Sequence, residues 1–228
     1  MKLVLDPGHG GKDPGALGRY SLEKDINLSI ALKLGEKIAA SGIQVILTRK
    51  GDQFVDLQSR CDMANQNKAD YFISIHCNGA GDPNAHGTET YCYGTSGKAY
   101  PLAQVVQKQM VEFIRSADRG VKIASFHVLR YTNMPAILLE IMFITNPREE
   151  EILNNIQWQD DFTTHMAKAL CNYFGYKFAY SDKTDKHYAE DYYKAWKEKG
   201  IILNEHDLDS PLTWGEYIIT QQRLKEME

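Results

Sequence analysis

The chain has 228 residues, 43% of them hydrophobic, 25% charged and 11% aromatic, with a formal net charge of −4. That balance excludes intrinsic disorder, which needs few apolar residues and a high net charge, and the length suffices for a core that holds without disulfides. Residues 179–228 carry 7 Lys and Arg against 11 Asp and Glu, so the body is neutral and the tail acidic; no concentrated basic face is offered to nucleic acid, which is not an expected partner.

From the N-terminus, KLVL at residues 2–5 reads as a strand that feeds the Gly/Pro-rich loop DPGHGGKDPGALG. Ile26, Ile30, Leu34 and Ile38 then recur every four residues, with Ala31 on the same face and Gly42 at the end, which predicts an amphipathic helix over 23–41. QVILT (44–48) is the next strand, a helix follows over 57–67, and YFISI (71–75) is a strand that His76 directly follows. Strands are further expected at 88–93, 126–129 and 136–141, with helices at 98–115 and 158–174. Alternating helices and strands, with strands apolar on both faces, predict an α/β fold: a mixed, mostly parallel sheet sandwiched by helices.

The polar stretch 179–186 (AYSDKTDK) reads as a linker between a body over 1–178 and a small helical appendage over 187–228. In that appendage Tyr188, Tyr192, Ala195 and Trp196 share one helix face, and Thr213 with Glu216 fits a capping box for a second helix that also carries Trp214. Two short helices make too little core to stand alone, so they dock on something. Tyr193 adds to an aromatic set able to stack on sugars, although aromatics at helical spacing are more often core.

The longest apolar run, Pro135–Ile144, is about half of what a bilayer crossing needs and is broken by Glu140, so no membrane insertion is expected. After Met1 and Lys2 the apolar run ends at Asp6, too short for a secretory signal, so synthesis in the cytoplasm without an export signal is expected. Cys61, Cys77, Cys92 and Cys171 are widely spaced and form no CxxC pair, which excludes a Cys-rich zinc site and suggests reduced thiols. Cys77 adjoins His76, but direct neighbours in sequence rarely form a nucleophile–base pair.

In an open α/β sheet, functional groups gather outside the carboxyl ends of the strands. His9 lies in the loop after the first strand, His76 follows the strand at 71–75, Glu140 sits near the end of AILLE, and Glu23 opens the first helix facing the same edge. Two imidazoles and a carboxylate form the ligand set of a catalytic zinc, with a fourth position left for water. Taken singly, His9, Glu23 and His76 each have a structural explanation. Glu140 within PAILLEIMFI does not, because buried glutamate is rarely found without a partner or a task.

The motifs DPGHGGKDPGALG, Glu23-Lys24, NLSIALKLGEKIAASGIQVILTRKGD, Arg60, ADYFISIHCNGA, HGTETY and MPAILLE…FITNP stand in order over residues 1–176. Together they resemble the zinc-dependent N-acetylmuramoyl-L-alanine amidases of the Amidase_3 family. The resemblance implies Zn²⁺ held by His9, Glu23 and His76, and Glu140 as the catalytic glutamate. It implies a hydrolase that cuts bacterial peptidoglycan between N-acetylmuramic acid and L-alanine. Two departures stand out: Ile141-Met142 where the family often has a small residue and Gly, and His76-Cys77-Asn78-Gly79 where it often has HANA. Neither replaces a ligand, and both bear on pocket shape and substrate preference.

Arg49 and Arg60 also match family positions and are expected to brace loops through carboxylates, whereas His86 and His127 match no ligand position. The tail resembles, faintly, a surface-layer-homology-type unit of bacteriophage endolysins, and a wall-targeting module and a homodimerisation element fit it equally. With no export signal, a phage or prophage endolysin is the expected setting, and a mother-cell lysin fits the same facts. A zinc peptidase cutting within the stem peptide would use the same triad, and a non-enzymatic wall-binding protein would keep the fold without the site.

Overall fold

A computed structural model describes residues 1–180, whose elements follow the hydrophobic pattern of the chain. Residues 181–186 of the linker expected at 179–186, and the helical module at 187–228, lie outside the described residues. In chain order the elements are β1 (Lys2–Pro7), α1 (Glu23–Ala40), β2 (Gln44–Leu47), α2 (Leu57–Gln66), β3 (Tyr71–Asn78), β4 (Thr88–Cys92), α3 (Ala99–Ile114), β5 (Asp118–Ile123), α4 (His127–Arg130), β6 (Ala136–Phe143), α5 (Pro147–Asn154) and α6 (Ile156–Tyr173). The strands form one six-stranded sheet in the order β2-β1-β3-β6-β4-β5. The first four of that order are parallel, β4 is antiparallel to β6, and β5 is parallel to β4. The mixed, mostly parallel α/β sheet is as expected.

Two cores lie on its two faces. Leu3, Leu5, Ile73, Ile75, Ile137 and Leu139 face α1, α3 and α6, where Ile26, Ile30, Leu34 and Ile38 are all buried as their spacing predicts. Val4, Phe72, Ala136 and Leu138 face the other way, packed with Cys61 and Ala64 of α2 and with Val128 and Leu129 of α4. Alternation then fixes where functional groups point. His76 follows Phe72 and Ser74, and Glu140 follows Ala136 and Leu138, so both emerge on the α2/α4 face at one end of parallel strands.

Three expectations need correction. Residues 126–129 are not a strand: Phe126 precedes the single turn α4, whose Val128 and Leu129 are buried side by side, as one turn of helix allows and strand alternation does not. The fifth strand is instead DRGVKI at 118–123, half-exposed at the sheet edge, with Arg, Gly and Lys masking its alternation. β3 also continues through His76 to Asn78, so the imidazole stands on the strand and not beyond it.

Candidate active site

The loop after β1 is shaped by what it must approach. A Cβ on Gly8 would stand 2.2 Å from the His76 ring, so only glycine lets this backbone lie against the imidazole. His9, the next residue, sits at φ 62°, a left-handed conformation that a non-glycine residue keeps only when its surroundings impose it. Two buried arginines supply that constraint. Arg60 donates to the carbonyls of Pro7 and His9 at 2.8 Å each, and Arg49 donates to Pro7 and Gly8 at 2.9 Å each. Asp6 anchors Arg60 at 2.7 Å and also accepts from Thr48 and Ser74. Loop bracing by both arginines is as expected, but Arg49 works through carbonyls and only Arg60 uses a carboxylate.

This loop, α1 and β3 bring three donors together. His76 Nδ1 lies 2.8 Å from Glu23 Oε1, His9 Nε2 lies 3.1 Å from Glu23 Oε2, and one ligand atom from each residue falls within 4.8 Å of the others. Two ligands of a tetrahedral ion bound at about 2.0–2.1 Å stand roughly 3.3 Å apart, so the set fits a divalent metal with little movement. Glu23, buried in the first turn of α1, also accepts from the amides of Ala16 (2.7 Å) and Cys77 (3.1 Å) and from Asn27 Nδ2 (3.1 Å). Burial pushes its carboxyl up, but hydrogen bonds from His76 and His9 outweigh that and hold it well below the usual carboxylate range. For His9, burial lowers the pKa, and Glu23 and Asp13 more than offset it, leaving the imidazole raised. Asp13 was not singled out from the sequence, although it lies in the same loop motif. Its Oδ2 stands 2.8 Å from His9 Nδ1, where it orients the ring as carboxylates behind metal-bound histidines do.

Glu140 stands beside His76 in register. Its Oε2 is sealed from solvent and has no hydrogen-bond partner among the described residues. Burial, then the charges of Glu23 and Glu89, push its carboxyl well above the ordinary value. The next residues form a bulge, because His76 pairs with Glu140 while Asn78 pairs with Phe143. Ile141 and Met142 therefore both turn into the core at 0% exposure, and Glu140 and Phe143 flank them.

Residues 3–172 match the Amidase_3 family, described as N-acetylmuramoyl-L-alanine amidase. The chain belongs to this family. It is 37% identical over 175 residues to the N-acetylmuramoyl-L-alanine amidase LytC of Bacillus subtilis, covering 75% of this chain and 35% of LytC. To the sporulation-specific N-acetylmuramoyl-L-alanine amidase of the same organism it is 42% identical over 147 residues, covering 63% of this chain and 56% of that protein. The chain thus spans about a third and about half of these two relatives. Its fold matches the catalytic domain of CwlV, an N-acetylmuramoyl-L-alanine amidase from Bacillus (Paenibacillus) polymyxa var. colistinus, with a TM-score of 0.73 and 36% identity over 77% of this chain and 99% of that one.

Within this Amidase_3 domain the two departures from the common motif do not line the site as expected. Ile141, Met142 and Cys77 are core residues, and burial pushes the Cys77 thiol well up. Of these positions, Asn78 reaches the site face, where its Nδ2 donates to Glu89 at 2.7 Å. All four cysteines are free and buried. His86 is exposed, with Nδ1 2.8 Å from the Asn84 carbonyl, and His127 Nε2 lies 3.0 Å from Gln58 Oε1, so neither joins the ligand cluster. Among the described residues no helix is long and apolar enough to cross a membrane.

Proposed function

We propose that this chain hydrolyses the amide between N-acetylmuramic acid and L-alanine in bacterial peptidoglycan, with Zn²⁺ held by His9, Glu23 and His76 and with Glu140 as proton carrier. The observation that carries the reading is an unpartnered, buried carboxylate oxygen of Glu140 standing in register with a ligand of a His–Glu–His donor set. Zinc bound there supplies a Lewis acid for the lactyl amide carbonyl and makes hydroxide available near neutrality by bringing the pKa of water to about 7.

The protein's own groups do the rest. Glu140 accepts the proton of the attacking water and returns it to the departing alanine nitrogen, and its raised pKa lets it hold that proton between the two transfers. Asp13 and the amides of Ala16 and Cys77 hold the orientation of His9 and Glu23, which keeps any movement on binding small. The products are a lactyl-bearing glycan and a stem peptide with a free N-terminal L-alanine.

Digestion of purified cell walls, with and without a chelator, tests the reading by mass spectrometry. Chelator-sensitive release of peptides with intact N-terminal L-alanine is expected. Cleavage inside the stem peptide would instead mark a peptidase. Residues 187–228 are read as a wall-binding or dimerisation module, and deleting 179–228 is expected to leave a folded body that keeps its zinc; an aggregated or zinc-free body would refute that division.

A further inference from the structure

The row of side chains that begins at His76 does not stop at Glu140. Across the antiparallel β4–β6 pair, Glu89 stands directly opposite Glu140, and Arg119 of the neighbouring β5 donates from Nε to Glu89 Oε2 at 2.9 Å. His76, Glu140, Glu89 and Arg119 thus cross four adjacent strands on one face, and Lys122 Nζ joins the same Glu89 oxygen.

The charges in this row do not cancel. Glu89 is buried and already accepts from Asn78 Nδ2 and, at 2.8 Å, from the Tyr91 hydroxyl. One cation would neutralise it, and it has two. Both are partly open to solvent, with side chains 38% (Arg119) and 39% (Lys122) exposed. The Arg119 guanidinium lies over the Phe143 ring at 4.8 Å, and its Nη1 donates to the His86 carbonyl at 3.3 Å. Its Nη2 has no partner among the described residues, and a guanidinium can take a carboxylate through its free donors. Around Glu89 itself two cations thus face one carboxylate, and Arg119 keeps donor capacity to spare beside the reacting centre.

The two sides of the scissile amide differ in charge. On the glycan side the lactyl carboxyl is consumed in the amide itself, whereas the stem peptide carries free carboxylates. The first of them is the α-carboxylate of the γ-linked glutamate that follows L-alanine, which some walls convert to a carboxamide. Two strand spacings separate β6 from β5, about 10 Å, and two extended residues span about 7 Å, so an arginine side chain leaning back over Phe143 closes the difference.

We propose that Arg119, with Lys122 beside it, binds the free carboxylate of the second stem-peptide residue, so that the peptide runs across β6 and β4 toward β5. This rests on the amidase reading above and names which side of the substrate each half of the site takes. The test uses the full chain with zinc and two soluble muropeptides that differ only in bearing carboxylate or carboxamide at that residue. The unaltered chain is expected to favour the carboxylate by about tenfold or more in kcat/KM, the scale of one charge-assisted hydrogen bond. In Arg119→Ala that ratio should collapse toward one, and Arg119→Lys should restore part of it. Glu89 keeps Lys122, Asn78 and Tyr91 in both variants, so folding is retained. A ratio near one in the unaltered chain, or one that survives in Arg119→Ala, overturns the proposal, because a merely structural arginine would slow both substrates alike. Failure of the unaltered chain to release L-alanyl peptide from either substrate would overturn the amidase reading instead, and this proposal with it.

Discussion

The two halves of the site are stabilised in opposite ways. On the β1/β3 half, Glu23 accepts hydrogen bonds at both oxygens, His9 is held by Asp13 and Glu23, and the loop beneath is clamped by Arg49 and Arg60. On the β6 half, Glu140 is left with a buried oxygen that nothing among the described residues satisfies. The first arrangement favours the charged carboxylate and fixed imidazoles that a metal requires. The second favours a carboxyl that takes up a proton readily. Both are glutamates at one edge of one sheet, and burial and hydrogen bonding shift their ionisation in opposite directions, as in other sites where environment pushes paired carboxyls apart.

Variants that cross this division sharpen it. The largest effect is expected from His76→Ala, which removes a ligand and should reduce both stoichiometric zinc and wall hydrolysis to background; full metal occupancy by elemental analysis would break the assignment. Arg60→Ala should act on stability, because it strips the buried Asp6 of its cation and the Pro7 and His9 carbonyls of their donor. Losing one partner of a buried pair costs about 3–5 kcal/mol, and denaturant unfolding should show it; a loss under about 1 kcal/mol would mean that the clamp is dispensable. Asp13→Asn should be milder, weakening zinc affinity by about 10–100-fold while the fold is kept. Unchanged affinity in competition with a chelating dye would show that His9 needs no carboxylate behind it.

Much of this was legible in the chain, and the unread parts share a cause. The four-residue rhythm of Ile26, Ile30, Leu34 and Ile38 and the doubly apolar strands announce helix and sheet without ambiguity, because their faces are buried evenly. Glu140 announces itself as a charge inside a core strand. β5 was hidden because an edge strand needs little apolar surface, and α4 passed for a strand because four residues carry no helical period. α5 went unread as well, although Asn146 before Pro147, with Glu149 and Glu150 in the first turn, is a recognisable helix start. Glu89 and Arg119 could not be linked to the site from sequence, since β4 reverses direction beside β6 and its pairing partner lies some fifty residues away. The bulge that turns Ile141 and Met142 inward is likewise a property of strand register, which the sequence does not display.

The central claim is that Glu23 holds metal while Glu140 moves the proton, and the most direct test measures zinc content and peptidoglycan hydrolysis together in Glu140→Gln and Glu23→Gln. Glutamine keeps the size of glutamate but can neither carry a proton nor supply a ligating charge. Glu140→Gln is predicted to retain zinc and its folded stability, since a neutral amide is cheaper to bury than a carboxylate, and to lose about 10²–10⁴-fold in hydrolysis. Glu23→Gln is predicted to lose zinc affinity first and activity as a consequence, with partial recovery at high zinc. If Glu140→Gln loses zinc while Glu23→Gln keeps both metal and affinity, the roles are exchanged and the account is contradicted.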